Sequence, residues 1–136
     1  MDISLLKIDE GTRMVTLQVG SKAVTGLTKL TQIVVLSLLN NPGRDILDPD
    51  RGAGIRDMIG MNFDPTDLSE ILAELSQSIR KSEKEILADQ VGLNVISSEK
   101  LREIKIISVS PGSSLDEIAA RIRIINELGQ QSDVVL

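Results

Sequence analysis

The sequence predicts an α+β fold, with strands toward its two ends and helices between them. Three observations carry this. Residues 25–41 are largely apolar and stop at Asn40-Asn41-Pro42-Gly43. Residues 64–90 repeat apolar side chains at helical spacing over a long stretch. Residues 1–20 and 102–136 carry short β-branched or alternating runs punctuated by turn formers.

Residues 1–20 read as a β-hairpin. Ile3, Leu5, Leu6 and Ile8 form one apolar run, and Asp9-Glu10-Gly11-Thr12 is a turn signal. Val15, Leu17 and Val19 then alternate with Met14, Thr16 and Gln18, as in a half-buried strand. Thr25 suits the N-cap of a core helix over 25–41. Ile33, Val34, Val35, Leu36, Leu38 and Leu39 leave that helix little polar face, so burial on most sides is expected. The loop 43–54 is rich in charge and turn formers and belongs at a surface. Its Asp-Pro step biases Asp48 toward an extended backbone. A short helical turn over Ile55 to Ile59, closed by Gly60, leads to the second helix.

That helix, 64–90, has the clearest start. Asp64 can cap it, Pro65 suits the first helical position, and Asp67 or Glu70 complements the dipole. Leu68, Ile71, Leu72, Leu75, Ile79 and Ile86 form an apolar stripe that Ser82 interrupts, while Glu70, Glu74, Gln77, Lys81 and Lys84 make a solvated face. At 1.5 Å per residue the helix is roughly 40 Å long, enough for its far end to project from so small a body. Gly92 stops it, and 93–100 is a linker. Residues 104–109, IKIISV, read as a strand that Pro111-Gly112 turns. The next segment, 116–126, fits two periodicities. Ser114 and Glu117 form a capping box for a helix through Leu115, Ile118, Ile122 and Ile125; Ile118, Ala120, Ile122 and Ile124 also alternate strictly, with Arg121 and Arg123 on the other face. The run RIRII tilts the balance slightly to a strand. Gly129 precedes a last short strand, Asp133 to Leu136. The whole, 1–136, reads as one domain.

Composition narrows the chemistry. Phe63 is the only aromatic residue, so bases have no stacking platform, and a net charge of −5 argues against phosphate-dominated nucleic-acid binding. No histidine and no cysteine are present, which excludes Ser-His-Asp and Cys-His catalysis and the common zinc sites. No cofactor or metal is expected. No apolar run is long enough to span a membrane, MDISLLKIDE has no signal-peptide pattern, and a cysteine-free chain fits an intracellular product.

The order of elements is also specific. A β segment leads to LTKLTQIVVLSLLNNPG, then LDPDRGAGI, a long helix, Glu99-Lys100-Leu101 and C-terminal strands. Over about residues 20–136 this resembles the baseplate wedge family of contractile-tailed bacteriophages, the acidic-lysozyme-like tail proteins. That family includes a baseplate component of type VI secretion systems. The matching features are Gln32 near the helix start, the Leu38-Leu39 pair, the Pro42-Gly43 stop and the Pro49-Asp50-Arg51-Gly52 loop. The resemblance implies a structural role rather than an enzyme. It implies a virion protein of the contractile tail, assembled in the host cytoplasm at six copies per baseplate, in contact with other wedge proteins, the tail sheath protein, and tube or hub proteins. It implies that the C-terminal sheet initiates the first sheath ring, and that 116–126 is a strand. One departure stands out. Many relatives carry Glu-Pro-Arg before the C-terminal hairpin; here Glu99-Lys100-Leu101-Arg102 keeps the Glu, lacks the Pro and shifts the Arg by one.

Three candidate partner-binding regions follow. Asp48, Pro49, Asp50, Arg51 and Gly52 form a stiff loop suited to docking, against the plainer reading of a solvated turn. Glu99 and Arg102 can form a partner-binding ion pair, or simply solvate a linker. The C-terminal strands, with Arg121, Arg123, Val134 and Val135, can join a strand of a neighbouring subunit, against an edge protected within the domain. Substituting Pro49 or Gly52, or removing everything after Gly129, is expected to spare the fold and block assembly. The competing class is a peptidoglycan-degrading glycoside hydrolase, which needs two carboxyl groups about 5–9.5 Å apart. Asp48, Asp50 and Glu99 are available, but no pair stands out, and aromatic residues to line a sugar cleft are lacking.

Overall fold

The structure is a computed structural model that describes residues 6–8, 15–17, 24–40, 42–43, 46–47, 49–53, 55, 68–111 and 118–136. Two short strands, β1 (Leu6–Ile8) and β2 (Val15–Leu17), pair antiparallel with Leu6 opposite Leu17. Helix α1 (Gly26–Leu39) and helix α2 (Leu68–Gln90) follow. Strands β3 (Leu101–Pro111), β4 (Ile118–Asn126) and β5 (Gln131–Val135) form an antiparallel sheet in the order β3-β4-β5. The architecture is α+β. The expected turn at 9–14, the caps Asp64 and Pro65, the capping box at 114–117 and most of the 55–59 turn lie outside the described residues; Ile55 is helical and buried.

The helices cover one face of the sheet, α2 under β3 and α1 under β4 and β5. One apolar cluster joins them. Leu30, Val34, Val35 and Leu38 of α1 meet Leu75, Ile79 and Ile86 of α2 and Leu101, Ile104, Ile122, Ile124 and Val134 of the sheet. Full burial of each such side chain contributes about 1.5–3 kcal/mol before conformational entropy is subtracted. Ile33 departs from the expected burial and is about a third exposed, at 36%. Leu72 likewise leaves the apolar stripe of α2 and reaches solvent. Ser82 interrupts that stripe for a physical reason. It is fully buried, and its hydroxyl bonds that of Ser37 on α1 at 2.5 Å, so two polar interruptions satisfy each other inside the helix interface.

Segment 118–126 is a strand, and it is the central one. Both of its edges are paired: Ile122 lies opposite Ile106 on one side and Val134 on the other. Its helical periodicity loses because only a strand brings Ala120, Ile122 and Ile124 to the helices together.

The far end of α2 does not project. Gln90 is buried, donates Nε2–H to the Glu99 carbonyl at 3.0 Å and accepts the Leu101 N–H at 2.9 Å. The last helical side chain thus bonds the first strand of the sheet. Gly92, at φ +79°, then reverses the chain in a conformation that favours glycine. Asn126 closes the other turn at this end. Fully buried, it donates to the Ser98 carbonyl at 3.0 Å and to Gln130 Oε1 at 2.9 Å, and its Oδ1 accepts the Gln130 N–H at 2.9 Å.

Candidate functional site

Glu99 works inside the molecule. Its Oε1 accepts the N–H of Gly26 at 3.2 Å, and its Oε2 pairs with Lys29 at 3.0 Å. Thr25 occupies the N-cap position of α1 but makes no capping hydrogen bond, so the carboxylate from 73 residues away takes that role. A negative group at a helix N-terminus bonds an orphan N–H and opposes the positive end of the dipole. Glu99 therefore pairs with Lys29, not with Arg102 as its place in the degenerate motif suggests. Glu99→Ala should cost about 1–2 kcal/mol in urea unfolding, with Glu99→Gln recovering part of it. An unchanged midpoint in both variants would show that the cap contributes nothing.

Arg102 is exposed at an irregularity in β3. Leu101 pairs with Asn126 and Glu103 with Ile125, so Arg102 is an extra residue without a partner on β4. Such bulges re-aim a side chain, and here the guanidinium goes to solvent. Ile107 is a second extra residue, between Ile106 opposite Ile122 and Ser108 opposite Arg121.

The loop after α1 lies along one face of α2, where Lys81, Glu85 and Asp89 recur every fourth residue. Lys81 donates to the Asp50 carbonyl, Glu85 accepts the Gly52 N–H at 3.3 Å, and Asp89 receives both arms of the Arg51 guanidinium. Gly43 N–H closes onto the Pro49 carbonyl at 2.6 Å. The stiff loop of the sequence reading is thus strapped inward through Arg51 and Gly52. Of the four described candidates, Pro49 and Asp50 are exposed, Arg51 is partly exposed and Gly52 is buried; Asp48 lies outside the described residues. Gly52 is buried at φ +117°, a conformation L side chains rarely adopt, so its substitution strains the fold rather than sparing it.

On the outer face of the sheet Lys105, Arg123 and Asp133 stand in one cross-strand row. Arg123 binds Asp133 through Nε at 2.8 Å and Nη2 at 3.0 Å. The hydrogen bond first, and the charge second, raise the Arg123 pKa above its ordinary value. Arginine is cationic throughout the accessible range in any case, so the pair adds no pH switch, only an interaction that salt weakens. Arg121, two residues along β4 and opposite Val135, is exposed and makes no ion pair among the described residues. Val134 is not available to a partner: its side chain is fully buried and faces Ile122. Val135 lies on the other face, half-buried. Because Val134 belongs to the core, removing everything after Gly129 should destabilise the fold rather than spare it.

The two edges of the sheet differ. On β3, side chains of α2 plug the outward backbone groups: Gln90 bonds Leu101 N–H, and Glu83 accepts the Ile104 N–H at 2.8 Å. On β5 the bonds to β4 run through the even-numbered residues, as Ala120 with Leu136 and Asn126 with Gln130 show. Antiparallel alternation then directs the backbone groups of Gln131 and Val135 away from β4. No described strand pairs with β5 on that side.

Among the described residues no group of three or more acidic side chains is placed to hold a metal ion, and no helix is long and apolar enough to cross a membrane. The chain matches no protein-family model, and no curated protein or solved structure matches it significantly.

Proposed function

We propose that this chain is a structural subunit of a contractile phage tail baseplate, joining the wedge to the sheath and initiating sheath assembly by strand pairing. In this reading the chain is one domain, residues 1–20 form its N-terminal β-hairpin, and it catalyses nothing. Its partners are other wedge proteins and the tail sheath protein, and it acts in the assembled virion.

The observation that carries the proposal is the asymmetry of the C-terminal sheet. The β3 edge is plugged at Leu101 and Ile104 by Gln90 and Glu83, while among the described residues no side-chain bond of this kind meets the backbone groups of Gln131 and Val135 that β5 directs outward. An edge of this kind templates another strand, and its main-chain hydrogen bonds give affinity with little demand on sequence. The outer face beside it offers Arg121, exposed opposite Val135, as a cation for an acidic residue on the incoming strand. The order of elements and the Gln32, Leu38-Leu39, Pro42-Gly43 and Pro49 to Gly52 features support the same assignment.

The test follows from the register. Proline is tolerated on an edge strand when its missing N–H faces outward. Val135→Pro should therefore leave the fold standing and stop the chain from nucleating sheath. The reading also requires that genes for a sheath and a tube protein lie beside the gene for this chain; a neighbourhood with neither would contradict it.

A further inference from the structure

The plugging of the β3 edge is incomplete, and the gap is shaped. Gln90 and Glu83 stand seven residues apart on α2 and bond Leu101 and Ile104 of β3. Seven residues are two helical turns, so the next position on this line is Ser76. Its hydroxymethyl group is far shorter than a glutamine or glutamate side chain. At that level a groove of about 560 Å³ opens between α2 and β3, lined among others by Leu72, Ser76, Ile79, Ile106, Ile107 and Val109.

Backbone groups face this groove. Ile104 turns its N–H away from β4 toward Glu83, so Ile106, two residues on and opposite Ile122, is oriented likewise. The extra residue Ile107 shifts the alternation by one, which directs the groups of Val109, opposite Ala120, outward. The walls are apolar, with Leu72 and Ile107 each 43% exposed. The rim charges Arg80 and Lys105 are balanced by Glu83 and Glu103. An edge with outward backbone groups above an apolar floor, under a neutral rim, is complementary to an extended peptide with alternating apolar side chains. A helix bonds its own backbone groups and leaves those of the edge unmet.

We propose that the groove between α2 and β3 is a second docking site, which takes an extended apolar segment of another protein as an added strand along Ile106 to Val109. The site lies on the edge opposite β5 and stands on its own geometry, whatever the role of the chain.

The experiment uses the full chain and random twelve-residue peptides on a display library, selected on the wild type and counter-selected on Ser76→Gln. The best peptide is synthesised and titrated by NMR. The expected result is saturable binding that shifts the amides of Ile106 and Val109 and slows their hydrogen exchange. Ser76→Gln, which extends the plug by one more heptad, should weaken binding at least about tenfold, while Ser76→Ala should change it less than about twofold. Binding that leaves those two amides unmoved, or that survives Ser76→Gln, would overturn the proposal, as would a selection that enriches no binder. Concentration-dependent shifts at the same amides without peptide would put a second copy of the chain there and equally overturn the assignment to a foreign segment. The amide spectrum of each variant shows separately that it folds.

Discussion

Replacing Ile122 by alanine should lower the free energy of unfolding by about 4 kcal/mol. Ile122 is fully buried at the middle of the central strand, between Ile106 and Val134, in the cluster that joins the sheet to both helices. Alanine removes three carbons where neighbours on two strands and the helical layer are fixed by their own hydrogen bonds, so the cavity closes poorly. For a protein whose total stability is about 5–15 kcal/mol, the loss lowers the melting temperature by roughly 15 °C. Ile107→Ala is the control. It deletes the same carbons from a half-exposed extra residue and should cost less than about 1 kcal/mol. Equal effects at the two positions in urea or thermal unfolding would mean that the sheet does not pack on the helices as described.

Asn126→Ala should cost about 3 kcal/mol, most of it from what it leaves behind rather than from the contacts it deletes. The side chain satisfies the Ser98 carbonyl, Gln130 Oε1 and the Gln130 N–H from a position with no exposure. It therefore ties the linker before β3 to the turn between β4 and β5. Asn126→Asp should cost at least as much, because a carboxylate cannot donate to Ser98 and faces two acceptor oxygens. Hydrogen exchange locates the damage: the amides of Gln130 and Leu101 should lose protection before those of α1. Wild-type protection at the turn in Asn126→Ala would show that water replaces the amide at no cost.

The parts of this fold that the sequence made legible are those fixed by local rules. The Pro-Gly stop bounded α1, and the stripe Ile71, Leu75, Ile79 and Ile86 marked the buried face of α2. Segment 116–126 was not decided locally, because both periodicities bring isoleucines to one side. What decides it is pairing on two edges, which no window of sequence contains. The same holds for the polar residues. Glu99 looked like part of a linker motif, and its partner Gly26 is 73 positions away. Gln90 and Glu83 carry no signal in the helical pattern, and they bond the β3 edge. Arg51 and Gly52 looked like the tip of a docking loop, and they hold that loop to α2. Long-range hydrogen bonding carries no spacing signal, so charged residues read as surface by default.

For the candidate partner surface the consequence is a change of emphasis. Of the residues first singled out, Glu99, Arg51, Arg123 and Val134 are engaged within the molecule. Pro49, Asp50, Arg102, Arg121 and Val135 keep exposed or outward-directed groups. In the proposed role the outward groups of β5 bear most directly on assembly, and one measurement isolates them. In the test, the sheath protein that the proposed function requires beside this chain is polymerised on its tail tube, followed by light scattering and counted by electron microscopy. Wild-type chain should shorten the lag and start sheaths from one end of the tube. Val135→Pro, with an unaltered circular dichroism spectrum and melting temperature, should leave the lag as long as with no chain added. Equal nucleation by the wild type and Val135→Pro would contradict strand pairing at β5, and no nucleation by the wild type would contradict the proposed function itself.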